Sequence, residues 1–240
     1  MVARFARICY VRPQLSAGVM RTQTRTYMLL VRKVAPILFL LAACAEPRGE
    51  ASPHEARDAD KPADEALRQQ LLARVERDQE ARLALVDKQQ QGQAPDAIDI
   101  ERLLTVDTAN TAWLKQVIAE SGWPGRSLVG SDGANAAFLL VQHADHDTAF
   151  QAQVLSLLER AYAVGEVEGQ QIALLTDRIA SARGEPQMYG TQADFVDGRV
   201  VLKAIADSAN VDSRRAAVGL PPIHEYVRLL DSVYTDHRRP

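Results

Sequence analysis

Cysteine is scarce in this chain: 240 residues hold only Cys9 and Cys44. That excludes a disulfide-stapled scaffold and any cysteine-rich zinc module. Aromatic residues make up 5%, and no Lys/Arg stripe is interleaved with them, so the usual footing for nucleic acid is missing. Long hydrophobic runs are missing too. The apolar stretch from Val34 to Ala45 counts twelve residues, well short of the ~20 that span hydrocarbon as a helix. There is no Gly-rich phosphate loop and no Gly-x-Ser-x-Gly elbow, and no cofactor is expected. What is present, 47% apolar and 25% charged residues, is the composition of a globular domain.

Charge is unevenly placed. Seven of the 28 basic residues and none of the 31 acidic ones lie in 1–43, so the formal charge of -3 becomes -10 for the remainder. Such a body repels phosphate backbones, and nucleic acid is not expected as a partner. Arg32-Lys33 precedes the short apolar run, which ends in small residues, as in a secretory signal peptide. Its ending, Leu41-Ala42-Ala43-Cys44, resembles the bacterial lipobox, in which the cysteine is lipidated and becomes the mature N-terminus. We therefore expect a signal peptide over 1–43, lipidation at Cys44 and a membrane partner through that lipid. Met20 and Met28 offer alternative starts, which would leave 1–27 untranslated. Ala45 stands where lipoproteins retained in the inner membrane resemble one another in having Asp, so the expected location is the periplasmic face of an outer membrane.

From Ala45 to Ala66 there is no Leu, Ile, Val, Met or aromatic residue, and Pro47, Pro53 and Pro62 punctuate the stretch. It cannot offset its ordering entropy by burial and reads, with Cys44, as a disordered tether over 44–66. A single domain is expected over 67–234. Helix formers and apolar periodicity predict helices over 64–91, from Ile98 or Asp107 to a stop at Gly122-Trp123-Pro124, and over 134–142, 148–164 and 168–183. Ser131-Asp132-Gly133 reads as the turn that starts the third of these. Residues 188–193 and 199–205 flank a turn at Val196-Asp197-Gly198 and read as a β-hairpin. Two short helices meet at 217–222. The fold class is mainly α: about six to seven helices with one hairpin.

Polar residues that interrupt apolar stripes are the candidate site. At about 100° per residue, Asp78, Gln79 and Arg82 fall inside the arc marked by Leu67, Leu71, Leu72, Val75, Leu83 and Val86. Arg178 falls among Ile172, Leu175, Ile179 and Ala182, with Asp177 pointing outward. Gln142 and His143 end a nearly all-apolar helix, and His143, Asp145, His146 and Asp147 crowd its C-terminus, where the dipole favours an imidazolium. A metal could use His143, His146 and Asp147, but no His-Glu-x-x-His pattern supports it and no metal is expected. A structural network, a ligand pocket and an enzyme site remain as alternatives.

A set of short motifs adds to this: Asp78-Gln79-x-x-Arg82, Asp107-x-x-Asn110, Gly122-Trp123-Pro124, Val129-Gly130, the run from Ala136 through Gln142-His143 to Asp145, Phe150-Gln151, Asp177-Arg178, Gln187-x-Tyr189-Gly190-Thr191-Gln192 and Arg215-x-x-x-Gly219-Leu220. Together they resemble the bacterial domain-of-unknown-function family 6624 over roughly 67–230. The resemblance implies a domain and no reaction.

As a binding site, Arg82, His143, Arg178, Tyr189 and Gln192, with Asp78, Gln79 and Gln142, would line a pocket for a small polar or anionic ligand, since two arginines in an acidic protein make a local positive well. As an enzyme, His143 would be a general base oriented by Asp145 or Asp78, with Arg178 and Arg82 meeting developing negative charge and water as the nucleophile. A third reading makes the group structural and leaves an outer surface for a protein partner.

Overall fold

A computed structural model describes residues 62–91, 93–196 and 199–235. The expected signal peptide, Cys44 and the tether up to residue 61 lie outside the described residues. Seven α-helices and one hairpin follow among them: α1 (Glu65–Gln90), α2 (Ala97–Ser121), α3 (Arg126–Gln142), α4 (Thr148–Ala163), α5 (Gly169–Arg183), β1 (Ala193–Val196), β2 (Arg199–Leu202), a 3-10 turn (Ser208–Asn210), α6 (Val211–Ala217) and α7 (Ile223–Thr235). The chain is mainly α, as its periodicity predicts. No helix among the described residues is long and apolar enough to cross a membrane.

Residues 63 and 64 already belong to the fold. Their amides donate to Ser127 and Leu128 carbonyls, and the Asp64 carboxylate accepts from the Leu67 amide, satisfying a donor that the helix start leaves orphaned. The folded domain therefore includes Ala63 and Asp64, ahead of the start expected at Leu67. Along α1 the buried positions are Leu67, Leu71, Asp78, Ala81, Leu85 and Val86, the first five separated by steps of four, seven, three and four. That is a 3.5-residue seam rather than a 3.6-residue face, and over a long helix the two drift apart by about 20° per heptad. The drift explains a correction: Leu83, expected inside, is 37% exposed.

The seam packs on α2 and α3. A capping box between Asp96 and Asp99 starts α2, ahead of both starts that the periodicity suggested. Gly130, at φ 72°, breaks α3. The expected turn thus lies one residue before Ser131, and residues 131–133 are helical with a short helical segment, 126–129, in front. Past the break, α3 is buried on nearly every side and is the spine of the core. Ala137, Phe138, Leu140 and Val141 meet Leu71 of α1, Leu114 of α2, Val154 and Leu158 of α4, and Leu175 of α5. Each of these leucines is essentially inaccessible and contributes about 2 kcal/mol by burial. Helices α4 and α5 pack on each other and on α3.

The hairpin pairs Val196 with Arg199 and Ala193 with Leu202. It is shorter than expected: 188–192 is not a strand but a loop drawn onto α5. On its other side β2 lies against α7.

Candidate functional site

The cluster forms where α3 ends. His143 caps that helix, and its ring Nδ1 lies 2.9 Å from both carboxylate oxygens of Asp78 on α1. Asp78 is fully buried and also accepts from the Gln79 amide at 2.7 Å. Arg82, one turn further along α1, places Nε 3.1 Å from the same Nδ1 and 3.4 Å from Asp78, while its Nη2 donates to Asp107 of α2 at 2.6 Å. We assign the ring proton to Nδ1, because a carboxylate needs a donor and two oxygens approach that atom. Nε2 then carries the lone pair, and it makes no hydrogen bond to a described residue.

Asp145 lies in the turn after α3, beyond the helix end. It does not orient His143. Its two oxygens take a bidentate pair from Nε and Nη2 of Arg178, both at 2.6 Å, and Gln151 of α4 adds an amide at 3.3 Å. Arg178 is left with Nη1 free of described partners. The same turn undoes the metal set read from sequence. His146 is exposed, and Asp147 caps α4 through the Phe150 amide and pairs with Lys115.

Electrostatics follow the geometry. Burial opposes the charge on Asp78, but the His143 ring and Arg82 outweigh it and hold the carboxyl well below its usual range. Burial and the neighbouring charge of Arg82 push His143 below its ordinary value against the pull of Asp78, so the imidazole is neutral near pH 7. That corrects the imidazolium expected from the helix dipole. Asp107 is pushed up to about 7 by burial, with Asp78 and Asp145 adding to the effect against Arg82. Asp145 is lowered because Arg178 and its hydrogen bonds overcome burial. Three carboxyls and two guanidiniums face one another, so the positive well expected from Arg82 and Arg178 is cancelled.

The sequence marks Asp107 only through its place in a motif. It lies four residues after Leu103 and seven before Leu114, both fully buried, so the periodicity of α2 carried the same signal that marked Asp78. Asp78, Asp107 and His143 each bring one ligating atom within 4.8 Å of the others, close enough to share a cation. The Arg82 guanidinium is the cation that the two carboxylates hold, while the protonated Nδ1 of His143 lies 3.1 Å from it without accepting.

Tyr189 and Gln192, expected in the same pocket, belong to a second cluster. Asp177, expected to point outward, is fully buried because the 187–192 loop covers that face of α5. Its carboxylate accepts from the amides of Met188, Tyr189 and Thr191 and from the Thr191 hydroxyl, at 2.7–3.0 Å for the shortest of each. Gln187 spends its amide on the backbone of Gln192 and Lys203, and Gln192 donates to the Thr191 hydroxyl. Arg215, inaccessible, donates to the Tyr189 and Pro221 carbonyls beneath the Tyr226 ring. At Gly190, φ is 70°, and a Cβ would stand 2.6 Å from Ile223, so only glycine closes the loop so tightly. None of these bonds reaches His143.

Two separate networks thus start from the consecutive residues Asp177 and Arg178. The model of a family of unknown function, DUF6624, matches residues 65–238. The chain belongs to DUF6624. No characterised protein and no solved structure matches it.

Proposed function

We propose that this DUF6624 chain is a lipid-anchored envelope protein whose helical domain carries a general-base site of hydrolytic type centred on His143. The observation that carries the enzymatic half is the buried Asp78–His143 pair, with Nδ1 engaged and Nε2 without a described partner. A carboxylate that fixes the tautomer leaves the far nitrogen as the base, the division of labour a general-base histidine needs. Nε2 takes a proton from water. The water oxygen attacks an electrophilic carbon, and the charge that develops on the substrate oxygen is met by Nη1 of Arg178, held in place by Asp145. The imidazolium then returns the proton to the leaving group. Asp78 and Asp145 are positioning residues in this scheme, one for the base and one for the guanidinium.

The anchoring half rests on the charged flank, the apolar run and the Leu41-Ala42-Ala43-Cys44 ending. Mass spectrometry of the membrane fraction should find an acylated N-terminus at Cys44; a mature product that starts elsewhere and carries no lipid would sink it. For the enzymatic half, hydrolysis of generic aryl esters and anilides is measured with the intact chain and with His143→Ala. A fall of roughly 10²–10⁴ with an unchanged circular dichroism spectrum is expected. Equal turnover in both, or none in either, overturns the hydrolytic reading.

A further inference from the structure

We propose that the group presented to His143 is an uncharged amide, recognised by the side-chain amides of Asn110, Gln142 and Gln151. The inference rests on the His143 site proposed above and names the class of ligand for it. It begins from charge. Arg82 is taken up by Asp107 and Asp78, Arg178 by Asp145, and the ring of His143 is neutral. A carboxylate or phosphate would find a single unused guanidinium nitrogen, Nη1 of Arg178, on a group whose charge Asp145 already neutralises, and an ammonium would find its carboxylates already occupied.

What the surroundings leave unmet is neutral. Seven buried side-chain nitrogen or oxygen atoms have no partner among the described residues, and four of them belong to these three amides: Nδ2 of Asn110, Nε2 and Oε1 of Gln142, and Oε1 of Gln151. Gln151 touches the site, and Asn110, whose Oδ1 accepts from Arg74, and Gln142 stand next to site residues along their helices. Asn110 lies one turn beyond Asp107, Gln142 immediately precedes His143, and Gln151 donates to Asp145 and to the Gln142 carbonyl. Gln142 is 1% exposed with neither amide atom bonded, so it has lost its water and gained nothing in return.

The unmet set holds two donors and two acceptors. An anion offers acceptors only and leaves both Oε1 atoms bare; a cation offers donors only and leaves both nitrogens bare. A carboxamide supplies a carbonyl and an N–H together and satisfies both kinds. Entry is at Asp145, whose side chain is 31% exposed. There the contact from Gln151 is 3.3 Å, among the longest that Gln151 makes, so a ligand can replace it at little cost.

Three probes of one shape and different charge test this: acetamide, acetate and acetamidinium, each titrated to about 0.1 M, a range set by how little so small a ligand can bind. They are added to the full chain while the ¹⁵N resonances of the His143 ring are followed. Acetamide should shift them with an affinity at least tenfold above that of acetate, and Gln142→Met should weaken acetamide about tenfold. Gln142→Glu, which turns a donor into an acceptor charge, should move the preference to acetamidinium and serves if the methionine variant does not fold. Tighter binding of acetate overturns the amide inference and leaves the His143 site standing. Unchanged acetamide binding in both Gln142 variants also overturns it. No response to any probe removes the inference and the site reading together.

Discussion

Two residues side by side on α5 anchor two buried polar clusters of different character. Asp177 faces the 187–192 loop, where each of its acceptors is filled by that loop's own donors. Arg178 faces Asp145 and the His143 group, where three carboxyls crowd two guanidiniums, one ring atom is approached by both a carboxylate and a guanidinium, and amides nearby have no partner. The Asp177 carboxylate and its loop satisfy each other, Nη2 of Arg215 at the edge of that cluster being the one unpartnered atom there among the described residues, and such a network is complete as a structural device. One that is left short after folding has kept capacity for something else, because a buried polar group without a partner costs stability that a purely structural cluster would not give up.

The comparison breaks first at Asp177. Removing its carboxylate strands four donors, the two of Thr191 in buried bonds, and Asp177→Ala should cost about 4 kcal/mol, a fall in Tm of roughly 10 °C for a domain of this size. Asp145→Ala removes a carboxylate that is 31% exposed; water can take the vacated place beside Arg178, so the loss should be under about half as large. Thermal melts of the two variants decide it. Equal losses would mean that the His143 group is as structural as the loop cluster.

The pH response sharpens the same contrast, since the crowding of like charges is confined to the His143 group. Asp107 is pushed up to about 7 in the folded protein from an ordinary 3.8. A raised carboxyl gives stability that is fully present below the unfolded value and lost as pH rises through the folded one, so this contribution declines from about pH 4 to pH 7. His143 and Asp78, both lowered, act in the opposite sense, losing stability as pH falls below their unfolded values. Asp107→Asn should therefore gain on the wild type at pH 8, relative to pH 5, by on the order of 2 kcal/mol. An identical pH dependence of Tm in both proteins would show that Asp107 ionises normally.

How much of this was legible beforehand differs between the two clusters for a physical reason. The helices could be read because their signals are local: Gly122 before Pro124, the stripe of α5, the seam of α1. Asp78, Arg82, His143 and Arg178 could be flagged because a charge inside an apolar stripe is visible on one helix alone. Asp177 could not, since its burial comes from a loop that arrives from another part of the chain, and a wheel knows nothing of what will cover its polar face. That loop was itself read as strand because 188–193 has the composition of one, whereas side chains from Asp177 and Gln187 took its backbone donors and acceptors away from sheet pairing. Which carboxylate would serve His143 was equally a tertiary matter. Asp145 is two residues away in sequence, yet the chain turns after α3 and delivers it to Arg178, leaving His143 to a residue 65 positions earlier.

The smallest expected effect is the most discriminating one, because it reverses sign between the clusters. Gln142 and Gln187 are both buried glutamines, at 1% and 0% exposure, and methionine has nearly the shape of either without the amide. In the loop cluster Gln187→Met deletes bonds to the Gln192 and Lys203 carbonyls and to the Gln192 amide; the Gln192 carbonyl keeps the Lys203 amide, but the Lys203 carbonyl and the Gln192 amide are left unpaired, which must destabilise. At Gln142 there is no bond to lose, since neither amide atom has a partner. Replacing an unpaired buried amide by a thioether removes a desolvation cost, so Gln142→Met should raise stability by about 1 kcal/mol in denaturant melts. Were it to lower stability instead, Gln142 would have to be held by ordered water, and the shortfall that separates the His143 group from the loop cluster would disappear.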